Sequence, residues 1–298
     1  MQKPTKALVL AAGSLGDCIV TLPALQYLQS RHSLTVAGTF PYRDLGASLL
    51  GVDEVMSLDP VLQSLYDPTG EDSLSADFFK DFGHVYLFFK DPDARISDAL
   101  SKHPHMQAHQ PSGTFEEFMK EGKWAGEYWL RTALPPGETM EDLAKHPHLK
   151  ISAELRTQGK LLCDSLQVPN PFVLHPGSGS PSKNAPLSFF KSAAEKTAGE
   201  AKKPILVLWG EAEMNWLSDI RKTFSGVPGV KIPAQPLSLI QIAAVLTQAC
   251  GYLGNDSGIT QLASACGAKT FAVFNTTDSR IWGPQEAFIL EAMKAFYK

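Results

Sequence analysis

Both halves of the chain begin with the same order of segments: a short apolar run, a turn that contains glycine, and a helical pattern. The apolar runs are residues 7–12 and 172–175, and the turns that follow them are residues 13–17 and 176–182. Short runs that are apolar throughout are typical of strands buried in a parallel sheet. Because further strand and helix patterns alternate in both halves, the sequence predicts an α/β fold.

This repetition predicts two Rossmann-like, parallel-sheet domains that face each other across a cleft. We place the first domain at residues 1–160 and the second at residues 161–298, because prolines interrupt the pattern in this region. A closing helix is predicted over residues 285–298, with the option that it packs back onto the first domain. Ligands of such sheets bind at the carboxyl ends of the strands, where the glycine-containing turns lie.

Two long helices are predicted in the first half. Residues 18–30 place Ile19, Leu22 and Leu25 on one face, and residues 114–130 form an amphipathic pattern. Pro23 falls in the first turns of the earlier helix, where a missing N–H group costs least.

The composition excludes several classes of protein. The net charge is −4 and the isoelectric point is near 6.1, so generic binding to nucleic acid is not expected. The 4 cysteines are widely spaced and include no CxxC motif, which favours a reducing cytoplasm over a zinc site or a disulfide framework. No stretch reaches the roughly 18 apolar residues of a membrane span. We expect a soluble, cytoplasmic protein whose membrane contact, if it has any, is peripheral.

The turn at residues 13–17, GSLGD, allows two interpretations. It lacks the GxGxxG and Walker patterns, so it does not by itself indicate a dinucleotide or nucleoside triphosphate site. Asp17 is either an acid in the first turn of a helix or a carboxylate at a strand end that acts as a general base. Both interpretations stay open.

Two segments in the second half are suited to an anionic ligand. Residues 175–183, HPGSGSPSK, combine small residues that allow close backbone approach, hydroxyl groups and the positive charge of Lys183. Residues 255–258, NDSG, lie where a strand leads into a helix, so that N–H groups and the positive end of the helix dipole face a ligand. The alternative is a solvated loop in the first case and a simple helix cap in the second.

The remaining candidates favour structural roles. Five histidines lie in loops interrupted by proline and without an accompanying pattern of acids, so no metal site is predicted; they are His103, His105, His109, His146 and His148. Three aromatic residues at helical spacing are predicted to lie in a core or an interface, namely Trp124, Tyr128 and Trp129.

Three motifs together resemble one known family. They are SLGD at residues 14–17 with the following TLPAL, HPGSGSPSK at residues 175–183, and the run from residue 251 to residue 284. The combination resembles the ADP-heptose:lipopolysaccharide heptosyltransferases, which belong to glycosyltransferase family 9 and have the GT-B fold. The resemblance implies an inverting, metal-independent transfer of a sugar from a nucleotide-sugar donor to the lipopolysaccharide core or another glycan, with no cofactor. It also implies a cytoplasmic enzyme that can contact the inner membrane peripherally.

The resemblance implies roles for individual residues. Asp17 matches the general base, and Lys183 matches the lysine that neutralises the departing nucleotide. Glu213 matches an acid that contacts the nucleoside, although the neighbouring Glu211 leaves this register open. Asp256 matches an acid of the donor site. The substrate-binding set is completed by Gly16, Ser178, Gly179, Ser257, Gly258 and Gln261.

The sequence also departs from the family pattern. The family commonly has a tryptophan shortly after the loop lysine, whereas this chain has Ala185 in that stretch. The family also commonly has a histidine at the position that Gln261 occupies here. Glutamine can donate a hydrogen bond to a phosphate but cannot carry a positive charge. Two alternatives therefore stay open: a different sugar donor, and a non-catalytic nucleotide-sugar-binding protein on the same fold. A third, an α/β dehydrogenase, is disfavoured because GxGxxG and its downstream ribose-binding acid are missing.

Overall fold

The computed structural model describes residues 5–67, 74, 77–91, 93–135, 137–138 and 146–291. The chain divides into two compact units, Met1–Lys150 and Ile151–Lys298. Each unit is built on one sheet whose strands are all parallel. The division precedes the helix Ala153–Ser165, whereas a boundary after residue 160 would fall inside that helix. This helix packs on the helix Leu239–Leu246 and so belongs to the second unit.

The first unit contains a five-stranded sheet in the order β3-β2-β1-β4-β5. The strands are β1 (Lys6–Ala11), β2 (Ser33–Gly38), β3 (Glu54–Ser57), β4 (Phe82–Phe88) and β5 (Gln107–His109). The helices are α1 (Leu15–Val20), α2 (Leu22–Gln29), α3 (Phe40–Leu50), α4 (Leu58–Tyr66), α5 (Arg95–Ser101), α6 (Phe115–Lys120) and α7 (Gly126–Ala133). Residues 7–11 of β1 are fully buried, as expected of a central strand covered on both faces.

The second unit contains a six-stranded sheet in the order β11-β10-β9-β6-β7-β8. The strands are β6 (Phe172–His175), β7 (Ile205–Val207), β8 (Val230–Lys231), β9 (Gly251–Asn255), β10 (Thr270–Phe274) and β11 (Phe288–Glu291). The helices are α8 (Ala153–Ser165), α9 (Leu187–Lys196), α10 (Leu217–Phe224), α11 (Leu239–Leu246), α12 (Gly258–Ala265) and α13 (Ser279–Trp282). Because β10, β9 and β6 are neighbours, the loops that follow them lie side by side at one edge of the sheet.

Both long helices predicted in the first half are wrong, because each is two shorter helices. The chain breaks at Thr21, whose hydroxyl donates a 2.7 Å hydrogen bond to the carbonyl of Cys18, and α2 then starts with Pro23 in its first turn. A proline is tolerated there but not in a helix interior, so the second helix begins next to it. The second break follows Gly122, which has a φ of +65° that ends α6.

The predicted closing helix is wrong over residues 288–291, which form the edge strand β11. This strand pairs with β10, and the rings of Phe271 and Phe288 stack at a centroid distance of 5.1 Å. Pairing with β10 satisfies the hydrogen-bonding groups of the backbone of this apolar segment, and the ring of Phe288 covers Phe271. Residues 292–298 lie outside the described residues, as does the option that a final helix packs back onto the first unit.

Among the described residues, no helix is both long enough and apolar enough to cross a membrane.

Three histidine rings lie close together in the first unit. His84 Nδ1 is 3.1 Å from His109 Nε2, and the rings of His32 and His84 are 4.9 Å apart. His109 also stacks on Tyr86 with ring centroids 4.3 Å apart. Burial, together with the neighbouring His84 and His32, lowers the pKa of His109 to about 4. Protonation of His109 is therefore disfavoured in the folded protein.

We expect His109→Gln to reduce the loss of stability in mild acid. The ordinary pKa of an unfolded histidine, about 6.5, lies above the folded value of about 4. The stabilisation is therefore fully present above about pH 6.5 and is lost as the pH falls toward 4, because only the unfolded chain takes up the proton. With a discount for partial solvent exposure, the wild type should lose about 1 kcal/mol more than the variant between about pH 7.5 and about pH 5 in urea titrations.

The matched control for this prediction is His146→Gln, which alters an exposed histidine of the same unit. The control should lose stability in acid to the same extent as the wild type. Equal losses of unfolding free energy in His109→Gln and in the wild type would show that the His109 ring does not contribute to the loss of stability in acid.

Candidate active site

Three loops meet at the carboxyl ends of β6, β9 and β10 in the second unit. We call them the β6 loop (residues 176–185), the β9 turn (residues 256–257) and the β10 loop (residues 275–278). The β6 loop contains the short 3₁₀ turn Pro181–Lys183, and the β9 turn leads directly into α12. This edge is where parallel α/β sheets bind their ligands.

A lysine from one loop and an aspartate from another form an ion pair at this edge. Lys183 Nζ in the β6 loop lies 2.8 Å from Asp256 Oδ2 in the β9 turn. Thr277 in the β10 loop donates a 2.5 Å hydrogen bond from its hydroxyl to the same carboxylate oxygen. The Asp256 side chain is 8% exposed and the Lys183 side chain 30% exposed, so the aspartate is covered while the ammonium group remains accessible. All three loops thus converge on one charged pair.

The start of α12 lies next to this pair. Ser257 caps the helix and accepts a 3.3 Å hydrogen bond from the N–H of Thr260. Gly258 is the first helical residue, and both Ser257 and Gly258 are partly exposed. The first N–H groups of a helix lack partners within the helix and carry the positive end of its dipole. The ammonium of Lys183 and the start of α12 therefore both favour an anion at this edge.

Ser178 and Gly179 form the tip of the β6 loop. Ser178 is buried, and its Oγ lies 2.7 Å from the carbonyl oxygen of Ser180 and 2.7 Å from Oδ1 of Asn184. Gly179 is exposed. Ser178 therefore folds the loop onto itself, whereas Gly179 leaves its backbone open to a ligand.

Glu213 lies in the 3₁₀ helix Glu211–Trp216, in the segment that follows the neighbouring strand β7, and is almost completely buried. Its Oε2 accepts a 2.7 Å hydrogen bond from the N–H of Gly210, and its Oε1 lies 3.7 Å from His175 Nε2. A Cβ atom at Gly177 would come within 1.5 Å of Oε1, so only glycine allows this approach. Burial alone raises the pKa of the Glu213 carboxyl, but the nearby His175 and the Gly210 N–H outweigh it, and the pKa is lowered.

Gln261 lies in α12 and is also buried. Its Nε2 donates a 2.5 Å hydrogen bond to the carbonyl of Trp282, which ties α12 to α13. Its Oε1 is buried and has no hydrogen-bond partner among the described residues. The side chain therefore holds together two elements that follow the β9 turn and the β10 loop.

Asp17 and Gly16 lie in the first unit, in the short helix α1 that follows β1. Asp17 Oδ2 accepts hydrogen bonds of 2.8 Å from the N–H and 2.7 Å from the hydroxyl of Ser14. Gly13 has a φ of +145°, and a Cβ there would lie 2.6 Å from the Cβ of Asp17. The turn thus fixes one oxygen of a partly exposed carboxylate at the end of the central strand, and Gly16 lies beside it.

The structure brings most of the predicted site residues together. Ser178, Gly179, Lys183 and the segment Asp256 to Gly258 share one edge of the second sheet, whereas Glu213 and Gln261 are buried behind it. Asn275 and Thr277 also interact with these loops and were not among the predicted site residues. Asn255 lies in the predicted segment 255–258 but was assigned no role of its own. The signal for all three is their place at or just after the end of a buried strand, because such positions face the ligand edge of a parallel sheet.

No metal site accompanies these groups in the part of the chain that the structure describes. Among those residues, no set of three or more histidine, cysteine, aspartate or glutamate side chains is arranged to hold a metal ion.

Solved structures share this architecture. The glycosyl transferase family 9 protein of Veillonella parvula superposes with a TM-score of 0.73 and 17% identity, over 100% of this chain and 89% of its own. The E. coli ADP-heptose LPS heptosyltransferase II gives a TM-score of 0.74 and 16% identity, over 97% of this chain and 91% of its own. The E. coli heptosyltransferase WaaC, solved with ADP, gives 0.70 and 15%, over 96% and 93%. These likenesses confirm the predicted fold class, two parallel-sheet Rossmann-like domains of the GT-B type.

Comparison with sequences identifies the family. No significant match is found among curated proteins. The model of glycosyltransferase family 9 (heptosyltransferase) matches residues 138–291, which is more than half of the chain and includes the β6 loop, the β9 turn and the β10 loop. The chain belongs to glycosyltransferase family 9, as its motifs predict, and it is a glycosyltransferase.

Proposed function

We propose that this glycosyltransferase moves a heptose or a related sugar from ADP-heptose, or a similar nucleotide-diphosphate sugar, to the inner core of lipopolysaccharide. The observation that carries the proposal is the accessible ammonium of Lys183 beside the start of α12, on the edge where three loops converge. A diphosphate needs such a cluster of positive charge and N–H donors. The E. coli relatives support the choice of donor, since one is an ADP-heptose transferase and another was solved with ADP.

The diphosphate is assigned to Lys183, Gly179 and the start of α12. An ammonium group has three N–H donors, so Lys183 can keep one hydrogen bond to Asp256 while it donates others to phosphate oxygens. Ser257 and Gly258 supply backbone N–H groups at the helix start, and Gly179 allows the β6 loop to approach closely. Ser178 shapes this loop from within. As the bond to the sugar breaks, these groups stabilise the negative charge that develops on the nucleoside diphosphate.

The two acids of the second unit are assigned to the sugar and the nucleoside. Asp256 binds Lys183 and Thr277 through Oδ2, and its Oδ1 is assigned to hydroxyl groups of the donor sugar. Glu213 has a lowered pKa and is therefore ionised at neutral pH, as an acceptor for ribose hydroxyl groups must be. Glu213 is almost completely buried, and its Oε1, which has no hydrogen-bond partner among the described residues, is the atom assigned to the ribose. Gln261 is assigned an indirect role, in which its hydrogen bond to the carbonyl of Trp282 holds α13 in place beside the site.

Asp17 is assigned as the general base on the first unit, which we propose binds the acceptor. The N–H and the hydroxyl of Ser14 both donate to Oδ2 of Asp17, so Oδ1 is the oxygen assigned to accept the proton. In a single displacement, Asp17 takes the proton of the acceptor hydroxyl, whose oxygen bonds to the anomeric carbon while the bond to the diphosphate breaks. Attack from the side opposite the leaving group inverts the anomeric centre. The charge of Lys183 and the helix start does the work that a metal ion would otherwise do.

The location of the protein follows from the proposed acceptor. Lipopolysaccharide core acceptors are lipid-linked, so we propose a cytoplasmic enzyme that contacts the inner membrane only peripherally.

The first test removes the proposed base. Asp17→Asn keeps the shape of the side chain but cannot take up the proton, so the rate of transfer should fall by about 10² to 10⁴. Binding of ADP should be unchanged, because the donor is bound by the second unit. Transfer from ADP-heptose and calorimetric titration with ADP measure the two effects.

The control is Asp59→Asn, which removes an exposed carboxylate in α4 of the same unit. Transfer by Asp17→Asn at a rate within about threefold of the control would remove Asp17 from the role of base, since general-base losses are far larger. Binding of ADP by the wild type without any transfer or donor hydrolysis would instead favour the non-catalytic alternative.

The second test removes the positive charge of Lys183. This residue lies on the edge where the β6 loop, the β9 turn and the β10 loop meet, which we call the donor edge. Lys183→Ala should weaken ADP binding by about 10- to 100-fold, because charge-assisted hydrogen bonds to the diphosphate are lost. Adenosine, which has no phosphate, should bind both forms alike. Calorimetric titration with ADP and with adenosine measures the difference.

Lys191→Ala is the matched control, because it removes a lysine in α9 of the same unit that pairs with Glu195. An affinity of Lys183→Ala for ADP equal to that of this control would refute the assignment of the diphosphate.

A further inference from the structure

The β6 loop is anchored at both ends by one side chain from another strand. Asn255, the last residue of β9, donates a 2.7 Å hydrogen bond from Nδ2 to the carbonyl of Pro176. Its Oδ1 accepts a 2.9 Å hydrogen bond from the N–H of Ala185. Pro176 and Ala185 are the first and last residues of the loop. A single amide group thus fixes the separation of the two ends.

A second asparagine anchors the same loop near its charged residue. Asn275 directly follows β10 and donates a 3.0 Å hydrogen bond from Nδ2 to the carbonyl of Lys183. Lys183 is therefore held at its backbone by Asn275 and at its ammonium group by Asp256. Asn255 ends β9 and Asn275 directly follows the neighbouring strand β10, so the sheet itself sets the position of the loop.

The chemistry of these contacts requires an amide. Asn255 is 0% exposed, and its donor and its acceptor face opposite groups of the loop backbone. Aspartate lacks the donor and leucine lacks both groups, and an unpaired buried backbone group costs more than the hydrogen bond itself stabilises. The loop contains three serines and two glycines, a composition that is flexible unless it is tied down.

We propose that Asn255 and Asn275 are positioning residues that preorganise the β6 loop for a diphosphate. This inference rests on the proposed function, since it concerns the same donor edge. A loop that is already ordered loses less conformational freedom when the ligand binds, so more of the interaction energy appears as affinity. It also holds Lys183 where charge develops on the leaving group, so that no rearrangement is needed during transfer.

The test compares Asn255→Leu and Asn275→Ala with the control Asn215→Ala, which alters an exposed asparagine of the same unit. Hydrogen exchange of the free protein, measured by mass spectrometry, reports on the loop without any ligand. Each variant loses one of the two asparagine anchors. Amide exchange of residues 177–185 should therefore be about 10-fold faster in each variant, and exchange in α8 should not change. Asn275 is partly exposed, so its variant decides the result even if Asn255→Leu does not fold.

Binding of three probes separates positioning from general loss of structure. ADP and inorganic pyrophosphate should each bind about 10-fold more weakly to the variants, whereas adenosine should bind with unchanged affinity. Exchange of residues 177–185 at the wild-type rate, or faster exchange to the same degree in α8, would overturn the proposal. A wild type that binds neither ADP nor pyrophosphate would refute the proposed function, and the exchange rates would still decide whether the asparagines hold the loop.

Discussion

The edge where the β6 loop, the β9 turn and the β10 loop meet depends on one covered carboxylate whose lost solvation is replaced by protein groups. Asp256 is 7% exposed, and a carboxylate that is removed from water is costly unless charge and hydrogen bonds replace its solvation. Lys183 and Thr277 provide that replacement on a single oxygen. Because these two residues come from different loops, the β6 loop and the β10 loop are both held by the β9 turn. The ammonium group is therefore fixed where an anion can reach it, and it does not swing freely in solvent. Electrostatic stabilisation of a leaving group depends on such preorganisation.

A second buried acid joins the β6 loop to the neighbouring strand. Glu213 reaches across from the segment after β7, binds the Gly210 N–H and lies against Gly177 and His175. Its Oε1 and the Nδ1 of His175 are buried without hydrogen-bond partners among the described residues. Buried polar atoms of this kind are destabilising unless a ligand, a water molecule or a rearrangement satisfies them. A nucleoside hydroxyl that reached Oε1 of Glu213 would relieve that cost.

The elements and the residues of the site were predictable to different degrees. Strands such as β1 and β10 could be recognised because they are continuous apolar runs, and the turns after β1 and β6 could be recognised by glycine and serine. The breaks at Thr21 and Gly122 could not, since a helical pattern of apolar residues continues past the point where the backbone turns. Strand β11 was missed because its state depends on pairing with β10. The burial of Glu213 and Gln261 was also hidden, because the groups that cover them, Gly177 and the carbonyl of Trp282, are distant in sequence.

Gln261 stands where the family commonly has a histidine, and this difference changes the charge available near the site. The family pattern leads one to expect a histidine at this position, whose charge would vary with pH near neutrality. Glutamine does not titrate, and here its amide is bound to the carbonyl of Trp282. In the described loops at the donor edge, the accessible positive charge is therefore that of Lys183, held by Asp256 and by Asn275. A site that relies on one lysine gains more from exact placement of that lysine than a site with two cations, because no second charge can compensate for an error in position.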